Sequence, residues 1–343
     1  MRIRPKDFAM TRFLLRIMAL AIAILLTSDM SSAQEQSFEY GIPFRAIRAA
    51  DNAAYDGPGL TRGLGAVAYE FRLSETEVTV SDWRAFVTAF APYWDGQPES
   101  PGLVGQWIRF ENGVYVAVAG SEQFATNMSW RMAARYCNWL HNDRGTQRAA
   151  FQSGAYDVAT FEPAAGVPGE ITPFSDQLEH SPGARFWIPT ASEWIKGAFY
   201  DPEHGGPNLG GYWLHPNASD RALQPGLPSD GGATNAGTFM DMPVGSYAQA
   251  RSPWGLLDVS GGLTEWAQDA GTDRDIRLAF GTRVGGSLPE MYDRLDVMGG
   301  DGLAPFDSLA PYGLRIAAVI PSPSSMLVLA PFAIKVSRRK ART

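Results

Sequence analysis

The chain has 343 residues, of which 45% are hydrophobic and 19% charged, and these fractions exclude a disordered or fibrous protein. The formal net charge of -7 excludes a general nucleic-acid-binding surface, which would be basic. The chain contains one cysteine, so an internal disulfide and any mechanism that needs two thiols from one chain are also excluded.

The first 33 residues have the pattern of a signal peptide. Five basic residues precede an apolar run at residues 17–26, and small residues at 31–33 form a cleavage site. The apolar run is shorter than the roughly 20 residues that span a bilayer. We therefore predict export with cleavage after residue 33, and an uncleaved anchor is the alternative. Residues 10–33 alone already make a complete signal peptide, so translation could begin at Met10.

Three segments have the apolar spacing of amphipathic helices. The first has a Thr or Ser available as N-cap within residues 79–81, and the second follows Ser129. The third begins with a T-x-x-E capping box formed by Thr190 and Glu193, and we expect Pro202 to stop it.

The rest of the chain consists of short extended segments and long loops. The strand-like segments are residues 66–78, 114–120 and 313–319. Residues 145–182 and 200–234 are rich in Gly, Pro, Ala and Asp and have little periodicity, which is typical of long loops. A few helices on a core of short strands make an α+β domain. We place it at residues 36–320.

Six short sequences occur in a fixed order between residues 68 and 319. They are ETEVTVSDWRAF, NMSWRMAARYCNWL, WIPTASEW, PVGSYAQARSPWGLLDVSGGLTEW, RVGGS and YGLRIA. This series resembles the formylglycine-generating enzyme, or sulfatase-modifying factor, family. The resemblance implies a C-type-lectin-like α+β fold with low regular secondary structure and long loops.

The resemblance also implies which residues form the substrate groove and its scaffold. In RVGGS, the glycines would let the backbone pass close beside the groove. Trp194 and Trp266 are implied as core aromatic residues, and Arg283 and Arg315 as buried guanidiniums that bind carbonyls or carboxylates. The groove and scaffold residues are Arg283, Gly285, Gly286, Ser287, Glu265, Trp266 and Arg315.

The family's enzymes oxidise a substrate cysteine with O2 at copper held by two cysteine thiolates, which lie shortly after the RGGS turn. Soft thiolates suit Cu(I). No cysteine lies between Ser287 and Arg315 here, and Cys137 falls on the apolar side of a predicted helix, where a small buried residue is expected. We therefore expect no copper and assign no catalytic residue. The three-histidine iron site of another family branch is not expected either, because the histidines are widely scattered: His141, His180, His204 and His215.

Calcium is the cofactor that the resemblance leaves open. Asn235 and the carbonyl of Ala236 match one calcium-binding segment of the family, with Asp241 as a candidate carboxylate partner. In a second such segment Gly262 replaces an asparagine, although Glu265 remains. Hard oxygen ligands suit Ca²⁺, which takes about six or seven of them. The alternative is that Asn235 and Asp241 make only turn hydrogen bonds.

The C-terminal segment, residues 321–343, resembles the PEP-CTERM sorting tail of exported bacterial proteins. A proline-serine stretch leads into an apolar run at 326–334 and a basic end. Ser322 stands where the signature has glutamate, and nine apolar residues are too few to span a membrane. The tail implies attachment to a membrane or to the cell envelope, and a frayed basic C-terminus is the alternative.

We favour the function of an exported, non-catalytic module at the cell envelope or outside the cell, which binds a peptide or glycan and no nucleic acid. The alternative is a metal-dependent oxidoreductase of the same family with a diverged active site. It rests on carboxylates near RVGGS, which could equally be surface charge: Asp273, Asp275, Glu290, Asp293, Asp296 and Asp301. Residual formylglycine generation is a third hypothesis, for which we expect no conversion of a cysteine peptide.

Overall fold

The computed structural model describes residues 36–161, 173–282, 293–298, 300–306 and 311–321. The predicted signal peptide, the tail beyond residue 321 and the RVGGS segment lie outside the described residues. The predictions for Arg283, Gly285, Gly286 and Ser287 fall on that segment.

Regular structure in these ranges is sparse and short. The helices are α1 (Val80–Phe90), α2 (Pro101–Val104), α3 (Trp130–His141) and α4 (Ala191–Phe199). The strands are β1 (Gln36–Glu39), β2 (Ile42–Ile47), β3 (Phe71–Ser74), β4 (Ile108–Glu111), β5 (Val114–Ala117), β6 (Phe186–Trp187), β7 (Tyr200–Asp201), β8 (Gly211–Tyr212), β9 (Thr264–Ala270), β10 (Arg277–Phe280), β11 (Asp301–Leu303), β12 (Tyr312–Gly313) and β13 (Ala317–Ala318). The predicted α+β class with low regular secondary structure is confirmed. Among the described helices, none is long and apolar enough to cross a membrane.

The larger sheet is antiparallel throughout and has the order β1-β2-β3-β13-β6. Ala317 pairs with Leu73 on one side and with Trp187 on the other, so a late segment of the chain completes the middle of this sheet. The smaller sheet has the order β11-β10-β9-β12, and its β12 runs parallel to β9. The pairs β4–β5 and β7–β8 are separate two-stranded ribbons.

All three predicted amphipathic helices form, and side chains cap their first turns. Thr79 is the N-cap of α1, because its hydroxyl accepts a hydrogen bond from the Asp82 amide and the Asp82 carboxylate accepts one from the Thr79 amide. Ser81 lies inside the helix, so the alternative N-cap is excluded. Ser129 caps α3, and the predicted capping box starts α4.

The end of α4 differs from the prediction. The helix ends at Phe199, before Pro202, and Tyr200 already has extended backbone angles. Tyr200 pairs with Tyr212 in the β7–β8 ribbon. Strand pairing therefore ends this helix, and the proline lies beyond the point where the helix has stopped.

The segment predicted as one strand at 313–319 is two strands in two sheets. Tyr312 and Gly313 extend the smaller sheet, whereas Ala317 and Ala318 belong to the larger one. Between them, the chain crosses from one sheet to the other, and the Arg315 side chain is buried at this crossing. The single-strand prediction was wrong because alternation along a sequence does not show which sheet each residue joins.

One hydrophobic core includes residues from β2, β3, α1, α3, α4, β9 and β10. The tryptophans that it buries most completely are Trp83, Trp130, Trp194, Trp254 and Trp266. The indole of Trp130 donates to the Ala267 carbonyl at 3.0 Å, and that of Trp266 donates to the Met128 carbonyl at 2.8 Å. These reciprocal bonds fix the start of α3 against β9, which follows the turn at residues 258–263.

Candidate functional site

The turn at residues 258–263 leads into β9 and lies beside four buried acids, Glu77, Asp258, Glu265 and Asp293. Gly261 and Gly262 both have positive φ, at 99° and 62°, which is the backbone region that favours glycine. A Cβ on Gly262 would clash with Glu77 Oε2, and one on Gly261 would clash with Asn235 Oδ1. The glycine pair therefore lets the backbone run directly against a carboxylate and an amide.

Glu265 is held by Arg315 and Trp194. The Nε and Nη2 atoms of Arg315 lie 2.7–3.2 Å from the carboxylate oxygens, and both residues are 1% exposed. The indole of Trp194 donates to Glu265 Oε2 at 2.6 Å. Burial alone would lower the pKa of Arg315, but the neighbouring acids, Glu265 first and then Glu77 and Asp258, together outweigh it and the pKa is raised. The pair is a fixed ionic contact in the core.

The remaining donors of Arg315 bind backbone carbonyls. Its Nη1 atom donates to the carbonyls of Ser74 at 2.9 Å and Glu75 at 2.8 Å, and Nη2 donates to that of Leu257 at 2.9 Å. A buried guanidinium whose N–H donors are all hydrogen-bonded has a structural role, because none of them remains for a ligand. This is the arrangement that the family resemblance implied.

Glu77 is buried beside this pair and is only half satisfied. Its Oε1 accepts from the Leu263 amide at 2.8 Å, whereas Oε2 has no hydrogen-bond partner among the described residues. Burial raises the pKa of Glu77 well above its usual value, and the neighbouring charges of Glu265 and Asp258 raise it further. Burial therefore favours the protonated form of Glu77 more than it would for an exposed glutamate.

Asp258 and Asp293 extend the group of perturbed acids. Burial raises the pKa of Asp258 to about 6, although the Gly245 amide donates to its carboxylate. Asp293 has 0% exposure and accepts hydrogen bonds from the hydroxyls of Ser260 and Thr282. Burial raises the pKa of Asp293 to about 7.

The interpretation of the late carboxylates as surface charge was wrong for Asp293. It fails because Ser260 and Thr282, far from Asp293 in sequence, enclose its carboxylate. Asp273 and Asp301 are exposed, and Asp296 is paired with Arg294 at 2.7 Å. The others are Asp275, which is half-buried, and Glu290, which lies outside the described residues.

Trp266 lies in β9 and its side chain is part of the hydrophobic core. It has 0% exposure, and its ring meets that of Tyr312 edge-on at 4.7 Å between centroids. Trp194 stacks on Phe280 at 5.6 Å. Pairs of this kind contribute about 0.5–1.5 kcal/mol beyond the area they bury. Both tryptophans thus lie where the resemblance implied, as packing residues.

The proposed calcium residues form a hydrogen-bonded turn. The Asn235 amide nitrogen donates to the Met240 carbonyl at 2.8 Å, and its oxygen accepts from the Gly262 amide at 2.9 Å. The Ala236 amide donates to Thr234 Oγ1, and Asp241 is exposed. Asn235 therefore makes the turn hydrogen bonds that one alternative expects, and calcium binding at this turn stays a prediction.

Cys137 lies in the middle of α3 with 0% exposure, and burial raises the pKa of its thiol. The expectation of a small buried residue is confirmed. In the described part of the chain, no group of three or more His, Cys, Asp or Glu residues is placed to hold a metal ion.

Glu77 and Asp258 are perturbed acids that the sequence patterns did not single out. Both lie inside segments that match scaffold patterns of the family. The Leu263 amide that binds Glu77 is distant in sequence, and the Gly245 amide that binds Asp258 belongs to another turn. The sequence gives no signal that sets Glu77 apart, because residues 66–80 also contain Glu70, Arg72 and Glu75.

Comparison with known proteins identifies the family. A model described as the sulfatase-modifying factor enzyme 1-like domain matches residues 65–320. The chain belongs to this family. No match was found among curated proteins.

Solved structures are similar to this sulfatase-modifying-factor-like domain. CarF is 18% identical, with a TM-score of 0.49, 82% of this chain and 99% of CarF covered. Variable protein 1 of Treponema denticola is 16% identical, with a TM-score of 0.50 and coverage of 83% and 99%. PvdO from Pseudomonas aeruginosa is 15% identical, with a TM-score of 0.46 and coverage of 81% and 95%. At 16% identity, the likeness to variable protein 1 concerns the fold alone.

A two-thiolate copper centre does not fit this sulfatase-modifying-factor-like domain. The chain has one cysteine, and α3 buries it in the core. The hydroxyl and carboxylate groups around the 258–263 turn offer hard oxygen ligands, and the Arg315 guanidinium has no lone pair to offer a cation, whereas Cu(I) is held by soft sulfur ligands.

Proposed function

We propose that this sulfatase-modifying-factor-like domain is a non-catalytic binding module, exported to the cell envelope, that holds a peptide or glycan. The observation that carries the proposal is the complete burial of Cys137, the one thiol of the chain. A buried, protonated thiol is a poor nucleophile and metal ligand.

The packing around the 258–263 turn supports a binding role. Glu265, Arg315 and Asp293 use their polar atoms within the core, so they stabilise loops and have no free atom to present to a substrate. A rigid frame of this kind carries long surface loops, which are the usual place for ligand sites in such folds. The scaffold of the family is thus retained without the groups that perform its oxidation.

Export and envelope attachment rest on the terminal sequence patterns. We propose that the signal peptide is cleaved after residue 33 and that residues 321–343 direct the protein to the envelope. Expression in a Gram-negative host, followed by fractionation and N-terminal sequencing, should give envelope material that begins at Gln34. Protein that remains in the cytoplasm with Met1 or Met10 at its N-terminus would contradict this part of the proposal.

The binding function is tested by two measurements on the same purified protein. Incubation with a cysteine-containing sulfatase peptide, copper, reductant and O2 should give no aldehyde that a hydrazide reagent can trap, while an authentic formylglycine-generating enzyme gives one. Glycan and peptide arrays should give saturable binding above that of a variant with scrambled loops. A trapped aldehyde, or array signals equal to the scrambled control, would overturn the proposal.

A further inference from the structure

A cavity of about 410 Å³ opens between the C-terminal end of α1 and the N-terminal half of α3. We call it the arginine-aromatic cavity and define it by Tyr93, Trp94, Arg131, Arg135, Arg148 and Phe306. Its volume falls in the range of roughly 300–1,000 Å³ that is usual for small-ligand sites. It does not include the residues of the 258–263 turn.

The three arginines of this cavity differ in how their charges are compensated. Arg131 is held by Asp176, which has 0% exposure, through two hydrogen bonds of 2.6 and 2.8 Å. Arg135 and Arg148 form no ion pair with any described residue. Arg135 stacks over the ring of Phe161 at 5.1 Å, and Arg148 stacks over that of Tyr93 at 5.1 Å.

Arg135 is half-buried and forms no ion pair with a described residue. Burial lowers its pKa to about 10 and the charge of Arg131 lowers it further, against the carboxylates of Asp176 and Asp95, so Arg135 remains charged at neutral pH. Its Nη1 atom donates a long hydrogen bond of 3.4 Å to the Arg131 carbonyl, which carries no full charge, so an anion bound in the cavity would supply the missing counter-charge. Guanidiniums bind planar oxyanions such as carboxylates through two parallel hydrogen bonds.

The other lining residues narrow the class of anion. Asp95 also lines the cavity and is exposed, so it offers an acceptor to ligand hydroxyl groups. Tyr93, Trp94 and Phe306 add apolar surface. A ligand that matches the arginines, the Asp95 carboxylate and the aromatic rings carries a carboxylate, several hydroxyls and an apolar C–H face. An acidic peptide has the carboxylates but would place them near Asp95 and offers fewer hydroxyl donors.

We infer that the arginine-aromatic cavity binds a uronic-acid residue of an acidic glycan. The inference rests on the proposed binding function and names its ligand class. Arg135 and Arg148 bind the carboxylate, Asp95 accepts from ring hydroxyls, and the aromatic side chains contact the C–H face.

The test is calorimetric titration of the full chain with trigalacturonate, using its methyl ester as a matched neutral probe. The acid should bind at least about tenfold more tightly than the ester, because a charge-assisted hydrogen bond is worth about one decade in affinity. Arg148→Gln and Arg135→Gln should each weaken binding of the acid about tenfold. Arg84→Gln, an exposed arginine on α1 outside the cavity, is the control and should leave affinity within about twofold.

Three results would overturn the inference: equal affinity for acid and ester, wild-type affinity in both arginine variants, or equally tight binding of an oligoglutamate peptide. If Arg135→Gln unfolds the protein, Arg148→Gln decides, since the exposed Arg148 side chain stacks only on the Tyr93 ring among the described aromatic residues. If the array identifies a ligand and Arg148→Gln does not change its affinity, the binding function stands and this site is refuted. An array without any ligand would refute the binding function itself.

Discussion

Arg315 and Glu265 form an ion pair in which neither side chain is more than 1% exposed and the shortest contact is 2.7 Å. Arg315 lies at the crossing between the two sheets, and Glu265 lies in β9 directly after the Gly261-Gly262 turn. Their contact therefore joins the last part of the domain to the strand that follows the turn. Breaking one side of a buried pair leaves the other charge without compensation.

Arg315→Met should lower the free energy of unfolding by about 3–5 kcal/mol, because it leaves the Glu265 carboxylate buried and unpaired. The matched control is the exposed pair of Arg48 and Glu70, whose atoms also approach to 2.8 Å. Glu70→Gln should cost less than about 1 kcal/mol. Urea denaturation followed by tryptophan fluorescence measures both changes. Similar losses in the two variants would show that the buried pair has no special weight.

Gly262→Ala should destabilise the domain for two reasons, the positive φ and the approach of its Cβ to Glu77. Gly113→Ala is the control for the first reason alone, because Gly113 has φ of 83° and no heavy atom lies within 4 Å of its added Cβ. We expect about 1 kcal/mol for the control and a clearly larger loss at Gly262. In the Glu77→Ala background, Gly262→Ala should cost only as much as the control. Persistence of the full loss in that background would contradict the proposed clash.

Asp293 should make stability fall as pH rises from about 4 to 7. Its pKa in the folded protein is about 7, whereas an unfolded aspartate titrates near its ordinary value of 3.8. Between these values, the folded state retains a proton that the unfolded state has lost, so unfolding becomes easier with each unit of pH. The full effect is up to about 4 kcal/mol and is complete above pH 7.

Asp293→Asn removes this titrating group, so the variant should gain stability relative to the parent between pH 5 and pH 8. The exposed Asp301→Asn is the control and should show no such change. Chemical denaturation at several pH values gives the two difference curves. A stability difference between parent and Asp293→Asn that does not vary with pH would show that the carboxyl titrates normally.

Asn235→Ala should lower the free energy of unfolding by about 1–3 kcal/mol, because it removes two hydrogen bonds to backbone groups in a nearly buried turn. The hydrogen-bond interpretation expects the same loss in EDTA and in millimolar Ca²⁺. Calcium as a ligand of Asn235, Ala236 and Asp241 would instead raise the melting temperature of the parent and not of the variant. Thermal denaturation in both buffers distinguishes the two, with Asp301→Asn as the control for non-specific ion effects.

Local order along the chain was determined by the sequence itself. The caps at Thr79, Ser129 and Thr190 each connect residues three positions apart, so the sequence alone predicts them. The six ordered patterns likewise determined the family, and the single cysteine excludes a thiolate pair on composition alone. These features depend on residue type and short spacing.

Only the tertiary structure decided which charged groups are buried and what faces them. The Asp293 carboxylate is buried against Ser260, which lies in a different turn. Glu77 accepts from the Leu263 amide of the 258–263 turn. Arg315 binds a carbonyl more than 200 positions earlier in the chain. Arg135 and Arg148 also form one cavity wall only because α3 and the following loop fold beside the end of α1. Desolvation and Coulomb energies depend on distances in space, and in a fold of long loops those distances do not follow from spacing along the chain.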